Sequence, residues 1–133
     1  EAYDSCLQWR PDNIACLNNY AYFLSIDGKH LDKAEEMSRR TIKKEPENPT
    51  YLDTYAWVLF RQKRYAEAKI YIEQALKFDT VDVSADVLEH AGDIYANNGE
   101  MEKAMEKWKE ALKLAPENKV LIRKIKLKKY LRR

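Results

Sequence analysis

Two stretches of sequence determine the fold: residues 52–59, LDTYAWVL, and residues 65–68, YAEA. A polar turn at Gln62-Lys63 separates them. Their apolar residues recur at spacings of three and four, the period of an amphipathic helix. Each stretch also carries a small residue, Ala56 or Ala68. Helices that meet through small side chains can pack with their axes only about 8–10 Å apart. The pattern therefore predicts a closely packed helical hairpin.

This pair of helices is an internal repeat. The element of residues 65–68, an apolar residue followed three positions later by Ala, occurs again at 31–34 and 101–104, in steps of 34 and 36 residues. Cys6-Leu7 followed by Pro11 copies the end of the same unit, so we predict that the chain begins inside a truncated unit. Units of this length stack into solenoids, because one unit cannot bury its apolar face alone. The equivalent residues are Ala21, Ala56 and Gly92 in the first helices and Pro46, Thr80 and Pro116 at the ends of the units.

The composition supports one all-α domain. The chain has 133 residues, of which 45% are hydrophobic and 35% charged, as is usual for a domain with its own core. Three glycines and four prolines are too few for the many turns of an all-β fold. No apolar run approaches the roughly 20 residues of a membrane-spanning helix. Because the first residue is Glu1 and no signal-like stretch follows it, we expect the chain to be part of a longer protein.

A period near 34, two helices per unit, a small residue in each helix and a closing proline resemble the tetratricopeptide repeat (TPR). The sequence of residues 52–59 is also similar to sequences that are common in bacterial proteins of this family. The resemblance implies an all-α, right-handed superhelix, with first helices on the concave side and second helices on the convex side. The single domain 1–133 would then comprise a truncated second helix over 1–11, repeats over 12–46, 47–80 and 81–116, and a basic capping helix over 117–133.

Positive charge is concentrated at the C-terminus. Residues 117–133 contain eight Lys and Arg against one acid, a net charge of +7, which leaves −5 for the other 116 residues. This basic segment is interpreted as a solubilising terminal cap. The alternatives are contact with nucleic acid, with an acidic lipid surface or with an acidic partner.

The closing helix, predicted over 118–131, has two apolar faces at a helical spacing. One face covers the third repeat, and the other is directed towards the groove. The covering face comprises Leu121, Ile122 and Ile125, and the groove face includes Leu127 and Tyr130.

The sequence lacks the residue patterns of catalytic, metal and nucleotide sites. His30 lies in a predicted turn and His90 on a helix of another repeat, without an acid and a nucleophile beside them, so they form no catalytic triad. His90 follows Glu89, but neighbours in sequence on a helix point apart. A glycine-rich phosphate loop, Cys-x-x-Cys and His-Glu-x-x-His are all absent from the sequence. We therefore predict no intrinsic enzyme activity, no cofactor and no metal.

The two cysteines, Cys6 and Cys16, fall on helices that are predicted to be adjacent. Cys6 takes the place of the small packing residue of its helix. We predict two buried thiols that act as small hydrophobic residues. A disulfide is the alternative, and it would need an oxidising compartment and a Cα separation under about 7 Å.

Candidate functional residues lie on the concave side of the first helices, where packing does not require them. An aromatic stretch on such a face is typical of an interaction site, and an acidic stretch is either a solvated face or a site for basic ligands. Chaperone-binding members of the family hold a C-terminal carboxylate here with Lys, Arg and Asn, so the acids and aromatics of this chain disfavour such a clamp. The candidates are the aromatic Tyr22, Trp57 and Phe60, the acidic Asp53, Asp86, Glu89 and Asp93, and Leu127 and Tyr130 of the closing helix.

These features predict a non-catalytic scaffold that binds a protein or peptide with apolar and basic residues in its concave groove. Nucleic-acid or anionic-surface binding through the basic closing helix is one alternative, although the acidic body disfavours a nucleic-acid partner. A positioning module of a larger enzyme or receptor is another. The sequence leaves open whether the protein is cytoplasmic or periplasmic, its oligomeric state and its biological process.

Overall fold

The computed structural model of the chain describes residues 14–78, 84–128 and 130. These residues form seven α-helices and no strand, which confirms the predicted all-α fold. The truncated unit predicted over 1–11 lies outside the described residues. The helices are α1 (Ile14–Asp27), α2 (Leu31–Lys44), α3 (Pro49–Arg61), α4 (Tyr65–Phe78), α5 (Ala85–Asn97), α6 (Met101–Leu114) and α7 (Lys119–Leu127).

The helices form three hairpins and a closing helix. Each helix packs against the next one along the chain, so that every second helix (α2, α4 or α6) contacts the first helices on both sides of it. The first helices also pack side by side, α1 on α3 and α3 on α5. They form one continuous layer, and we call the side of this layer that faces away from the second helices the groove. α7 packs on α6 in the place of a fourth first helix.

Side-chain caps define where α3, α5 and α7 begin. Asn48 accepts hydrogen bonds from two backbone N–H groups of α3, at 2.9 and 3.2 Å, and Pro49 follows it at the first helical position. Ser84 and Asn118 cap α5 and α7 in the same way. An Asn or Ser cap satisfies donors that the helix itself leaves unpaired. The sequence thus fixes the start of each of these helices, and with it the residues that reach the groove.

In the core of each hairpin, a small residue of the first helix lies sixteen positions before a larger buried residue of the second helix. In the third hairpin the smallest residue, Gly92, lies against the largest, Trp108, whose side chain is completely buried. A Cβ atom at Gly92 would overlap the indole ring of Trp108. The three buried pairs are Ala21 with Met37, Ala56 with Ile72, and Gly92 with Trp108.

The closing helix differs from its predicted form. It ends at Leu127, where Lys128 adopts a left-handed φ of 54°, rather than near residue 131. Ile122, predicted to cover the third repeat, is 43% exposed, whereas Lys124 is only 1% exposed and lies on the inner face beside the buried Leu121. Lys124 replaces an apolar residue at this position because the surface of α5 that it meets carries carboxylates.

Cys16 also differs from its prediction. It is buried, as expected, but it is disulfide-bonded. The predicted buried thiol is therefore wrong at this position. Cys6 lies outside the described residues.

We expect Gly92→Ala to lower the free energy of unfolding. Overpacking against Trp108 costs about 1–3 kcal/mol, which exceeds the gain in helix propensity of at most about 1 kcal/mol. In a Trp108→Ile background, which copies the pair Ala56 and Ile72, the overlap disappears and Gly92→Ala should be neutral or stabilising. Urea unfolding followed by circular dichroism measures both effects. Equal losses in the two backgrounds would contradict the proposed packing.

Candidate functional site

The clearest candidate site is a pocket between α1, α3, α5 and the C-terminal segment. It has a volume of about 230 Å³ and its wall combines aromatic and charged side chains. We call it the main pocket. Six of the predicted groove residues line it, namely Tyr22, Trp57, Asp86, Glu89, Asp93 and Tyr130, together with Ile26, Arg61, His90 and Lys124.

Trp57 is the centre of an aromatic cluster beside the main pocket. Its ring stacks on His90 with a centroid distance of 4.1 Å and on Phe60 at 4.6 Å. Tyr130 meets Phe60 edge to face at 5.3 Å. The predicted aromatic stretch therefore exists as one contiguous cluster, with Trp57 half-buried at the pocket wall. Stacking on both neighbours holds the indole in one orientation.

Phe60 and Leu127, two of the predicted groove residues, do not line the main pocket. Phe60 is 4% exposed and belongs to the core behind Trp57 rather than to the wall of the main pocket. Leu127 is 53% exposed at the end of α7 and is not part of that wall either. Leu127 lies outside the wall because α7 ends at this residue. Of the predicted pair Leu127 and Tyr130, only Tyr130 is turned back towards α3, where its ring contacts Phe60.

His90 forms an ion pair across two repeats. Its Nδ1 lies 2.9 Å from Asp53 Oδ1 and 3.2 Å from Oδ2, and both residues are buried. Burial opposes the charged imidazolium, but the Asp53 carboxylate, together with the more distant Asp93 and Asp86, raises the pKa of His90 above its ordinary value. The pair therefore stabilises the fold below the ordinary histidine pKa of about 6.5, and this contribution is lost as the pH rises through the raised pKa.

The expectation that His90 lacks a nearby acid was wrong. The reason is that its acid lies 37 residues away, close to one repeat, rather than on its own helix. The second ring nitrogen, Nε2, has no hydrogen-bond partner among the described residues, and the ring lines the main pocket. His30, by contrast, is exposed, as predicted.

The Lys124 ammonium lies between two carboxylates of α5. Its Nζ is 2.7 Å from Glu89 Oε2 and 2.8 Å from Asp93 Oδ1. Asn118 donates a hydrogen bond to the other oxygen of Glu89 at 3.1 Å, and Trp108 Nε1–H donates to Asp93 at 3.1 Å. Lys124, Glu89 and Asp93 are at most 4% exposed. We call these five residues the Lys124 network.

Burial raises the pKa of Asp93 to about 6, although the ammonium of Lys124 and His90 oppose the shift. The folded state therefore binds a proton at Asp93 more readily than the unfolded state does. The contribution of this carboxyl to stability consequently falls as the pH rises from about 4 towards 6. A carboxylate held in this way depends on its cation at neutral pH, because an uncompensated buried charge is strongly destabilising.

The predicted acidic stretch is thus mostly neutralised within the protein. Asp53 pairs with His90, and Glu89 and Asp93 share Lys124. Only Asp86 of the four acids is exposed. The expectation that packing does not require these acids was wrong for the three buried ones, because each is held in a contact between helices.

A second, more polar pocket continues the groove towards the N-terminal ends of α3 and α5. It has a volume of about 300 Å³ and shares Tyr22, Asp86 and His90 with the main pocket. Its other lining residues include Asn18, Asn19, Thr50 and Asp53. The two pockets together form a channel that is polar at one end and aromatic at the other.

Within the part of the chain that the structure describes, no group of three or more His, Cys, Asp or Glu side chains is placed to hold a metal ion. Among the seven helices described above, none combines the length and the apolar character that crossing a membrane requires.

Sequence reasoning missed His90 and Lys124 as members of the site. Arg61 lines the main pocket and donates from Nε to the carbonyl of Ser25 at 2.9 Å, which ties α3 to the end of α1. For Lys124 a signal was present, since it follows Leu121 by three positions and therefore lies on the same helical face. A lysine on an apolar face opposite two acids of the preceding repeat indicates a buried ion pair.

Comparison with known proteins identifies these repeats. The tetratricopeptide repeat family matches residues 50–82 and 85–118, about half of the chain. The chain belongs to the tetratricopeptide repeat family. The two matches fall on the second and third hairpins, which contribute Trp57, His90 and the acids of the site.

A TPR repeat-containing protein of Pseudomonas aeruginosa is 34% identical over 67 residues, which are 50% of this chain and 11% of that protein. Its bacterial source agrees with the origin indicated by the sequence. The crystal structure of YrrB, a TPR protein with an unusual peptide-binding site, has a TM-score of 0.78 at 17% identity, over 96% of this chain and 64% of that one. The first TPR of Spaghetti (RPAP3), bound to an HSP90 peptide, has a TM-score of 0.75 at 19% identity, over 86% and 89%. These two structures confirm the TPR solenoid fold.

Replacing Lys124 by Met should lower the free energy of unfolding by about 3–5 kcal/mol at neutral pH, because Glu89 and Asp93 are left as unpaired buried carboxylates. The loss should shrink at pH 5, where these groups can take up protons. The neighbouring and exposed Arg123→Met is the matched control and should change stability by less than about 0.5 kcal/mol. Urea unfolding at both pH values is the measurement. Equal effects of the two substitutions would show that Lys124 is not part of a buried network.

Proposed function

We propose that the chain is a non-catalytic interaction module whose groove binds a segment of a partner protein. The observation that carries this proposal is the main pocket, in which Tyr22, Trp57 and Tyr130 form an aromatic wall beside Asp86 and Arg61. Tryptophan, tyrosine and arginine are the residue types that contribute most to binding energy at interfaces. An indole that is already held by stacking loses little further freedom when a partner binds.

The size of the main pocket favours a side chain over a whole cofactor. Its volume of about 230 Å³ lies below the roughly 300–1,000 Å³ that is typical of small-molecule sites. One or two apolar side chains of a bound segment would fill it. The polar pocket then offers Asn19 and Thr50 to the neighbouring residues of the same segment.

The charge around the main pocket favours a partner with a single basic residue. Lys124 pairs with Glu89 and Asp93, His90 pairs with Asp53, and the Arg61 guanidinium lies in the wall of the same pocket. When His90 is protonated, these three cations and the four acids sum to −1, rather than the −4 of four free acids. Selectivity for basic residues is therefore modest and centres on the exposed Asp86, while the aromatic wall supplies most of the affinity.

The comparisons support an interaction role in general terms. YrrB has a peptide-binding site, and the first TPR of Spaghetti was solved with an HSP90 peptide. We propose the same class of activity for this chain, with a different ligand, because acids and aromatics replace the Lys and Arg of a carboxylate clamp. Because the chain spans 11% of the length of its Pseudomonas relative, the role of the whole protein, including the positioning of an enzyme or receptor, remains a proposal.

A catalytic role has less support than binding. His90 and Asp53 resemble two members of a proton-relay triad, but within the described residues the hydrogen bonds of His90 go to Asp53 alone. A triad also needs a nucleophile within hydrogen-bond distance of the histidine. We therefore assign the pair to the positioning of Trp57, on which the His90 ring stacks.

A peptide array, followed by calorimetric titration of the best binder, tests the proposed function. Trp57→Ala should weaken binding by about 2 kcal/mol, roughly 30-fold, because it removes the anchor of the pocket. Asp86→Lys should slow the association of basic peptides and reduce its dependence on salt. Glu89 is unsuitable for this charge reversal because it is buried against Lys124.

Tyr71→Ala is the matched control for Trp57→Ala. Tyr71 is also a half-buried aromatic residue, but it lies on α4 and packs on Tyr55, away from the groove. It should leave the affinity unchanged. If Trp57→Ala binds as tightly as the unaltered chain, or if the best binders are acidic C-terminal peptides, the proposed groove function is wrong.

A further inference from the structure

The outer face of α7 combines exposed cations with exposed apolar side chains. Positions 119, 122, 123, 126 and 127 share one side of the helix at spacings of three and four. The cations Lys119, Arg123 and Lys126 are exposed, and Ile122 and Leu127 are 43% and 53% exposed. We call these five residues the outer face of α7.

Within the part of the chain that the structure describes, the cations of the outer face form no ion pair. Among the described residues, no carboxylate forms an ion pair with Lys119, Arg123 or Lys126, whereas Lys124 on the inner face holds two. The requirements of folding are met by the inner face, where Leu121 and Lys124 are buried. A cap that only keeps the end of a solenoid soluble needs polar residues there, and it does not account for the exposed Ile122 and Leu127.

We propose that the outer face of α7 binds the surface of an anionic lipid bilayer, a function separate from that of the groove. Cations near such a surface gain electrostatic attraction to the lipid headgroups. Apolar side chains on the same face gain by entering the boundary between headgroups and acyl chains. The face is about 12 Å long, from the helical rise of 1.5 Å per residue, so all five side chains can meet one flat surface together.

Two observations favour a bilayer over a nucleic acid. Binding to the phosphates of a nucleic acid depends on Lys and Arg side chains. It would not involve the exposed apolar side chains of Ile122 and Leu127. The rest of the chain also has a net charge of −5, since residues 117–133 carry +7 of a total of +2. A planar surface can be approached by α7 alone, whereas a nucleic acid that extended along the solenoid would meet the acidic body.

Co-sedimentation of the full chain with lipid vesicles tests the proposal. The chain should bind vesicles of phosphatidylcholine with phosphatidylglycerol and not vesicles of phosphatidylcholine alone, and added salt should weaken the binding. The triple variant Lys119→Gln/Arg123→Gln/Lys126→Gln should reduce the partition constant roughly 100-fold, at about tenfold or less for each cation. Ile122→Ser/Leu127→Ser should also reduce it, while leaving the salt dependence in place.

The variant Lys29→Gln/Lys43→Gln/Lys44→Gln is the matched control, because it removes the same charge from exposed residues of other elements. It should bind anionic vesicles like the unaltered chain, and circular dichroism should show that all variants remain folded. The proposal is overturned if the unaltered chain does not bind anionic vesicles, or if the control loses as much binding as the α7 variant. It is also overturned if Ile122→Ser/Leu127→Ser changes nothing and the chain binds duplex DNA or an acidic peptide in preference to the vesicles.

Discussion

The burial of the Lys124 ammonium between Glu89 and Asp93 is the interaction on which the groove and the closing helix both depend. Two carboxylates on α5 would be very costly to bury without a cation, and α7 supplies that cation from 31 to 35 residues further along the chain. Asp93 also accepts the hydrogen bond of Trp108, which fills the space that Gly92 leaves open. The ion pairs and the apolar core of the third hairpin therefore stabilise the same contact. α7 is thus a structural part of this unit.

The same network sets the character of the groove. Because Lys124 and His90 pair with three of the four predicted acids, the exposed features of the groove are an aromatic wall and the single carboxylate of Asp86. His90 transmits this arrangement from α5 to α3, since its Nδ1 contacts Asp53 and its ring stacks on Trp57. The orientation of the proposed anchor thus depends on two residues that no ligand needs to touch. A change in the charge of His90 would alter the anchor as well as the stability.

The sequence was sufficient for the fold and for part of the site. Helical periodicity and the small residues at Ala21, Ala56 and Gly92 depend on local spacing, and the repeats, the hairpins and most of the pocket wall followed from them. Asp53 with His90, and Glu89 and Asp93 with Lys124, could not be predicted in this way, because the choice between a solvated and a buried acid depends on partners about one repeat away. The prediction for Ile122 was wrong for the same reason. Helical periodicity and hydrophobicity favour Ile122 over Lys124 for the buried face of α7. Lys124 occupies that face because it meets the carboxylates of Glu89 and Asp93.

The most direct test of this account is an NMR measurement of the lysine ammonium groups at neutral pH. Exposed ammonium protons exchange rapidly with water, whereas those of a buried and hydrogen-bonded ammonium are protected. We expect a protected lysine ammonium signal that is absent from Lys124→Met and retained in Arg123→Met. A spectrum without any protected lysine signal, or one whose signal persists in Lys124→Met, would contradict it.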